Sequence, residues 1–130
     1  MYTATTRHIK VTVFPSYLPD QSDGFSGLHV WAYFIRIENL GTETVQLVNR
    51  YWRITDGLGQ VQEVRGPGVI GEQPVLEPGD TYQYTSGASL RTPSGLMAGN
   101  YEMRRDGALI EIEAELGGVA THVLCSEQGS

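Results

Sequence analysis

The feature that most constrains the fold of this chain is the alternation of apolar and polar residues in short segments that end in turn sequences. A period of two is the pattern of a β-strand with one buried face. In the longest segment, residues 30–38, apolar side chains occupy both faces up to Arg36, which predicts a central strand. Gly or Pro interrupts every stretch with helical spacing. The pattern predicts an all-β fold, a two-sheet antiparallel sandwich.

Connections of two kinds separate the predicted strands. Asp-Gly pairs that begin at Asp56 and Asp106 predict tight hairpin turns. Residues 16–27, 66–80 and 86–99 lack alternation, and the last two segments are rich in Gly and Pro. Long loops in a compact domain often carry function, so we expect any site to lie there. Strands are predicted at residues 9–13 (ended by Pro15), 30–38, 45–48, 51–55, 61–64, 82–84, 101–103, 110–114 and 119–124.

Length, charge and cysteine content narrow the class of protein. The 130 residues suit a single domain, predicted over 1–130 with flexible tails at 1–6 and 126–130. A net charge of −6 disfavours nucleic acid and anionic membrane surfaces as partners. No apolar run is long enough to span a bilayer, and no signal-peptide pattern follows Met1, so membrane insertion is not expected. The single cysteine, Cys125, excludes an internal disulfide and favours a cytoplasmic location.

Residues 66–71 satisfy the spacing G-x-G-x-x-G with Gly66, Gly68 and Gly71. In a dinucleotide-binding unit such glycines let the backbone approach a pyrophosphate at a helix N-terminus. Here prolines follow and exclude that helix, so the Rossmann interpretation fails. Two interpretations remain. The loop could form an anion nest with Arg65 as its counter-charge, or the glycines could serve a tight loop with positive φ and close packing, which we favour.

Arg50 and Trp52 form a second candidate set because they share one face of a predicted strand, with Tyr51 and Arg53 on the other face. Exposed Trp–Arg pairs are common at interfaces. Trp52 could equally be a core residue with an arginine stacked at its rim, and this interpretation is favoured. Both residues are kept as candidates for binding a ligand or partner.

The sequence supports neither a metal site nor a catalytic set. His8, His29 and His122 have no metal-ligand spacing. The glutamates at 111, 113 and 115 alternate with apolar residues, as on a solvated strand face. Cys125 and His122 would point to opposite faces of a strand, so they would not pair. We therefore predict no catalytic residues, no metal and no cofactor.

Longer motifs resemble the ApaG family. Residues 50–56 resemble its R-x-W-x-I-T-D element, and residues 63–74 resemble its E-V-x-G-x-G-V-V-G-E-Q-P loop. The resemblance covers about residues 7–105, and residues 112–115 depart from the family pattern. Further positions that fit are Pro15, Tyr17, Gln21, Ser22, Ile37, Glu38, Asn39, Tyr84, Thr85, Ser86, Gly87, Leu90, Thr92, Pro93, Gly95, Met97, Gly99, Tyr101 and Met103.

The resemblance implies a sandwich of the fibronectin type III or immunoglobulin kind, often a homodimer. It also implies an association with cobalt resistance and magnesium efflux, without an established enzymatic activity. Related eukaryotic domains, in F-box proteins and a polymerase-delta-interacting protein, imply protein or ligand binding.

These observations predict a non-enzymatic binding module. Its loops would present residues 66–71 and 86–99 to an unidentified protein or small ligand. The alternative is anion, pyrophosphate or nucleotide binding by the loop from Gly66 to Gly71, with Arg65. Homodimerisation is a separate prediction, motivated by the apolar outer side of residues 30–38.

Overall fold

The structure, a computed structural model, describes residues 2–23 and 25–116, and for residues 113–116 it describes the backbone. This part of the chain forms nine strands and one short 3-10 helix, Pro19–Gln21. The strands are β1 Tyr2–Thr6, β2 Ile9–Tyr17, β3 His29–Asn39, β4 Val45–Asp56, β5 Val61–Pro67, β6 Val75–Leu76, β7 Thr81–Leu90, β8 Gly95–Arg105 and β9 Ala108–Leu116. No helix in the described part is long and apolar enough to cross a membrane.

The strands form two antiparallel sheets, which confirms the predicted fold class. One sheet has the order β1-β2-β3-β7, and the other has the order β5-β4-β8-β9, with β6 paired to β4. The predicted central strand is confirmed, because β3 pairs with β2 on one side and β7 on the other. The fibronectin-like or immunoglobulin-like subtype stays a prediction.

A single hydrophobic core lies between the sheets, built from alternate residues of each strand. Trp31, Ile35 and Ile37 of β3 are fully buried, and they face Leu47, Tyr101 and Met103 from the other sheet. The Tyr101 ring stands perpendicular to the Trp52 ring, with their centroids 6.0 Å apart. Trp52 is 6% exposed, so it is a core residue of β4 rather than an exposed anchor.

The segments predicted as separate strands at 45–48 and 51–55 are one strand, β4. Its pairing with β8 shifts register between Leu47 and Asn49, which marks a β-bulge at Val48. A bulge inserts one residue and reverses the alternation that follows. Leu47 and Arg50 consequently both lie on the inner face, although they are three positions apart.

The predicted loop at residues 86–99 is wrong, because most of it belongs to β7 and β8. Backbone pairing with β3 holds Ser86, Gly87 and Ala88 extended, opposite residues 31–33. Gly99 lies within β8, where a Cβ would come 2.0 Å from the carbonyl oxygen of Tyr51. Its small size therefore serves close strand packing rather than a turn.

Two further boundaries differ from the sequence expectation. Residues 1–6 are predicted as a flexible tail, but Tyr2–Thr6 pairs with β2 as an edge strand. Pro15 does not end its strand, which continues to Tyr17 with Pro15 opposite Tyr33. The predicted strand at 119–124 and the tail at 126–130 lie outside the described residues, as do His122 and Cys125.

Candidate functional site

A cleft opens between the two sheets on the side where β5 and β7 are the terminal strands. We call it the inter-sheet cleft, and its volume is about 190 Å³. It brings together residues from both segments that the sequence analysis singled out as loops. Its lining consists of Tyr33, Arg50, Trp52, Ile54, Val64, Val69, Ile70, Tyr84, Ser86, Gly87, Ala88 and Met97.

Small residues on β7 create the cleft. The inner positions of this strand alternate from the buried Tyr84 through Ser86 and Ala88 to the buried Leu90. Ser86 is exposed although it lies on the inner face, because no bulky side chain covers it. The missing volume leaves a cavity there, and the buried side chains of Tyr33, Trp52 and Met97 line it.

Arg50 lies at the edge of the cleft, on the inner face of β4. Its Nη1 donates hydrogen bonds to the carbonyl oxygens of Pro67, at 3.2 Å, and Gly68, at 2.8 Å. Gly66 is directly opposite on β5, and a Cβ there would come 3.2 Å from the guanidinium nitrogens. Among the residues that the structure describes, no carboxylate lies within 4.0 Å of this guanidinium.

Behind Arg50 lies a buried group of phenols. The hydroxyls of Tyr84 and Tyr101 hydrogen-bond to each other. Burial raises the pKa of both tyrosines, while the positive charge of Arg50 acts in the opposite direction on each. Burial also raises the pKa of Tyr33 to about 12. The phenols are therefore neutral hydrogen-bonding groups at physiological pH.

Two side-chain hydrogen bonds connect the sides of the cleft at its ends. At one end, Nε2 of Gln62 on β5 donates to the carbonyl oxygen of Ser89 on β7, at 3.2 Å. At the other end, the hydroxyl of Tyr82 on β7 donates to a carboxylate oxygen of Glu72, at 3.0 Å. Backbone pairing does not join β5 to β7, so the entrance of the cleft lies between these two hydrogen bonds.

In the glycine loop, residues 66–71, the N–H groups of Gly68 and Val69 donate hydrogen bonds to backbone carbonyl oxygens of the protein. The N–H of Gly68 donates to the carbonyl oxygen of Val48, at 2.7 Å, and the N–H of Val69 donates to that of Glu72, at 2.8 Å. Gly68 and Gly71 have positive φ values of 56° and 75°. A Cβ at Gly68 would come 1.9 Å from the carbonyl oxygen of Glu72. These contacts favour the tight-loop interpretation over an anion nest.

Arg65 lies on the opposite face of the sheet from Arg50 and does not join the cleft. Its guanidinium stacks on the Tyr51 ring at 4.4 Å and forms an ion pair with Glu63 at 3.0 Å. The Tyr51 hydroxyl donates to the same carboxylate at 2.8 Å, and these hydrogen bonds lower the pKa of Glu63. The structure therefore keeps Arg65 out of the cleft that Arg50 and Trp52 line.

A broader polar groove of about 610 Å³ lies on the outer side of the same sheet, and Arg50, Arg65 and Gly66 are among the residues that line it. Its side chains bond to one another. Nδ2 of Asn49 donates to Glu102 at 3.0 Å, and Nδ2 of Asn100 donates to Glu111 at 2.8 Å. Because these side chains hydrogen-bond to one another, fewer of their donors and acceptors remain for a ligand.

The two histidines in the described part of the chain, His8 and His29, are not brought together. His8 lies in the turn between β1 and β2, whereas His29 begins β3 at the opposite end of the sheet. Within the described part of the chain, no group of three His, Cys, Asp or Glu side chains could hold a metal ion. The side chains of Glu113 and Glu115 lie outside the described part.

Sequence reasoning missed the β7 side of the cleft and the buried phenols. The sequence predicts a strand at Tyr84 but a loop at its neighbours Ser86 and Ala88. A signal exists in retrospect, since small residues continue the alternation of an aromatic strand and leave a gap in its buried face.

Comparisons with known proteins agree on one family. The family model described as the ApaG domain matches residues 19–105. A Protein ApaG from Paramagnetospirillum magneticum is 60% identical over 113 residues, 86% of this chain and 87% of the relative. A Protein ApaG from Mesorhizobium japonicum is 61% identical over 104 residues, 80% of each chain.

Solved structures show the same architecture. The crystal structure of a Bordetella pertussis protein described as ApaA has a TM-score of 0.77 and 45% identity, covering 85% of this chain and 89% of that one. A second X-ray structure has a TM-score of 0.76 and 37% identity, covering 88% and 86%. A portion of a Bacteroides uniformis β-glucuronidase, 12% of its length, shares the fold alone, with 16% identity and a TM-score of 0.50.

Proposed function

The chain belongs to the ApaG family, and from that premise we propose that it is a non-catalytic binding module. The inter-sheet cleft receives a small ligand, or one side chain of a partner protein. This proposal retains the predicted roles of Arg50 and Trp52, and it uses the loop from Gly66 to Gly71 as a wall of the cleft.

The observation that carries the proposal is the composition of the cleft lining. The lining is apolar and aromatic, with one arginine and a few hydroxyls. Preformed sites for small molecules combine these features. Among the described residues that line the cleft there is no carboxylate, imidazole or thiol, so no nucleophile is paired with a general base there.

We include the association with cobalt resistance and magnesium efflux in the proposal as an indirect role. Hard divalent cations prefer several converging oxygen ligands. The cleft instead presents an arginine, which repels cations. Binding of a partner or metabolite at the cleft would then connect the protein to cation homeostasis. An amide spectrum that shifts at micromolar cobalt or magnesium would contradict this part of the proposal.

The homodimer is likewise a proposal, supported by aromatic residues on the outer face of the other sheet. The Phe14 and Phe34 rings lie 5.7 Å apart, and Arg36 stacks on Phe14 at 5.5 Å. Phe34 remains 36% exposed. Light scattering on the wild type and on Phe34→Glu tests it, and a monomer mass for the wild type at micromolar concentration would contradict it. We also propose that the protein acts in the cytoplasm.

A fragment screen followed by amide NMR spectra tests the cleft. We expect some fragments at millimolar concentration to shift the amide signals of Ser86, Gly87 and Ile70. A Ser86→Leu variant should abolish these shifts because the leucine fills the gap in β7, whereas Thr85→Leu on the exposed face should preserve them.

Pyrophosphate belongs in the same titration. Saturable shifts confined to the amide signals of Gly66, Gly68 and Gly71 would move the site from the cleft to the glycine loop. If no fragment shifts the cleft signals, the proposed function is wrong.

A further inference from the structure

We propose that the ligand of the inter-sheet cleft carries a carboxylate that pairs with Arg50 and a compact apolar body that lies between Trp52 and β7. This inference rests on the proposed function and specifies the chemical class of the ligand.

The charge of the site is the first argument. Arg50 is partly buried, and in the described part of the chain it has no carboxylate partner within 4.0 Å. Within the described part of the chain, its side-chain hydrogen bonds use Nη1 alone, and both go to neutral carbonyl oxygens. A guanidinium has five N–H donors, so Nε and Nη2 remain for an anion. Because the site is partly shielded from water, such a pair is stronger than one on the open surface.

The shape of the guanidinium favours a carboxylate in particular. Its planar edge matches the two oxygens of a carboxylate in a bidentate arrangement. Arg50 is the single cation among the described residues that line the cleft, which suits one negative charge. A pyrophosphate carries several charges and would need a second cation, whereas Arg65 is engaged with Glu63 on the other face of the sheet.

The size and chemistry of the cavity define the rest of the ligand. A volume of about 190 Å³ exceeds the roughly 150 Å³ of an engineered apolar cavity that binds benzene. It is smaller than the roughly 300–1,000 Å³ typical of sites for drug-sized ligands. One ring or a short branched chain therefore fits, and a nucleotide does not. Trp52, Met97 and Ala88 supply apolar contacts for this body.

A titration with benzoate and benzamide, followed by amide NMR spectra, tests the inference. The two probes have the same ring, and they differ in charge. At pH 7 we expect benzoate to shift the signals of Arg50, Ser86 and Gly87 with saturation, and benzamide to bind at least about tenfold more weakly. Isovalerate and its amide repeat the comparison without an aromatic ring.

Four variants test which residues cause the difference in affinity between benzoate and benzamide. Arg50→Gln should weaken benzoate binding about tenfold or more and weaken benzamide binding much less, because the amide loses only a hydrogen bond to a neutral group. Arg50→Lys should restore part of the benzoate affinity, since it keeps the charge without the bidentate edge. Ser86→Leu should abolish binding of both probes, and Thr85→Leu should abolish neither. Urea unfolding of each variant establishes that it is folded.

The outcomes separate the inference from the proposed function. Equal affinity for benzoate and benzamide at the cleft would overturn the carboxylate assignment and leave the binding module standing. Benzoate shifts that survive Ser86→Leu would place the anion elsewhere and overturn the inference. If neither these probes nor any other fragment shifts the cleft signals, both proposals fail.

Discussion

The guanidinium of Arg50 lies over Gly66, and a Cβ at position 66 would come 3.2 Å from both of its terminal nitrogens. The two residues are paired directly across β4 and β5. Gly66 is not among the glycines with positive φ. Its missing side chain therefore provides space for Arg50, whose Nη1 then bonds to the carbonyl oxygens of Pro67 and Gly68.

Gly66→Val should displace the guanidinium and lower the free energy of unfolding by about 1–2 kcal/mol, because both hydrogen bonds are lost. In an Arg50→Ala background the same substitution should cost little, since the volume is empty. A double-mutant cycle by urea unfolding measures the coupling. Additive effects would show that Gly66 does not act through Arg50.

Gly68→Ala should be far more damaging than Gly71→Ala. Both positions have positive φ, but a Cβ at Gly68 meets the Glu72 carbonyl oxygen at 1.9 Å, whereas nothing lies within 4 Å of one at Gly71. We expect a loss of about 3 kcal/mol or more at Gly68 and about 1 kcal/mol at Gly71. Thermal unfolding of the two variants under identical conditions checks the order, and similar losses would contradict it.

Stability should fall in alkaline solution because the phenol of Tyr33 is buried. Its pKa is raised from 10.0 to about 12, so the folded state holds the proton while the unfolded state releases it. The contribution of this group is complete below pH 10 and is lost as the pH rises toward 12, a change of about 3 kcal/mol. Urea unfolding at pH 9 and pH 11 should show a steeper loss for the wild type than for Tyr33→Phe. Equal losses would refute this assignment.

Thr12→Val should stabilise the protein. Thr12 is fully buried, and its Oγ1 has no hydrogen-bond partner in the described part of the chain. Valine keeps the shape and the β-branch and removes the desolvated hydroxyl, so we expect a gain of about 1 kcal/mol. Thr85→Val, at an exposed strand position, serves as the control and should stay within about 0.5 kcal/mol of the wild type. A destabilised Thr12→Val protein would indicate a bond that valine removes.

The strands that alternate strongly could be predicted from the sequence because a period of two depends on local residues alone. Residues 30–38 were expected as a central strand, and β3 confirms this with partners on both sides. The division of faces at Arg50 and Trp52, against Tyr51, also agrees with the structure, in which Trp52 is buried and Tyr51 contacts Arg65 on the outer side.

The cleft itself depends on contacts between distant parts of the chain, which local patterns do not record. Ser86, Gly87 and Ala88 have little intrinsic preference for a strand, and only pairing with β3 holds them in one. The bulge at Val48, which turns Arg50 inward, likewise reflects its fit against β8. The spacing of the glycine motif is visible in the sequence, but it does not show that Gly66 makes room for a side chain while Gly68 makes room for backbone.

The two bonds that frame the cleft, Gln62 to Ser89 and Tyr82 to Glu72, have a consequence for its dynamics. An intramolecular hydrogen bond of this kind contributes about 1 kcal/mol, so one of these two bonds breaks frequently at ambient temperature. Separating two paired strands is rare by comparison. The entrance can therefore widen while both sheets remain intact. The width of the entrance is set by two side-chain hydrogen bonds. Substitutions at Gln62 or Glu72 would therefore change how quickly a ligand enters and leaves, without changing the residues that recognise it.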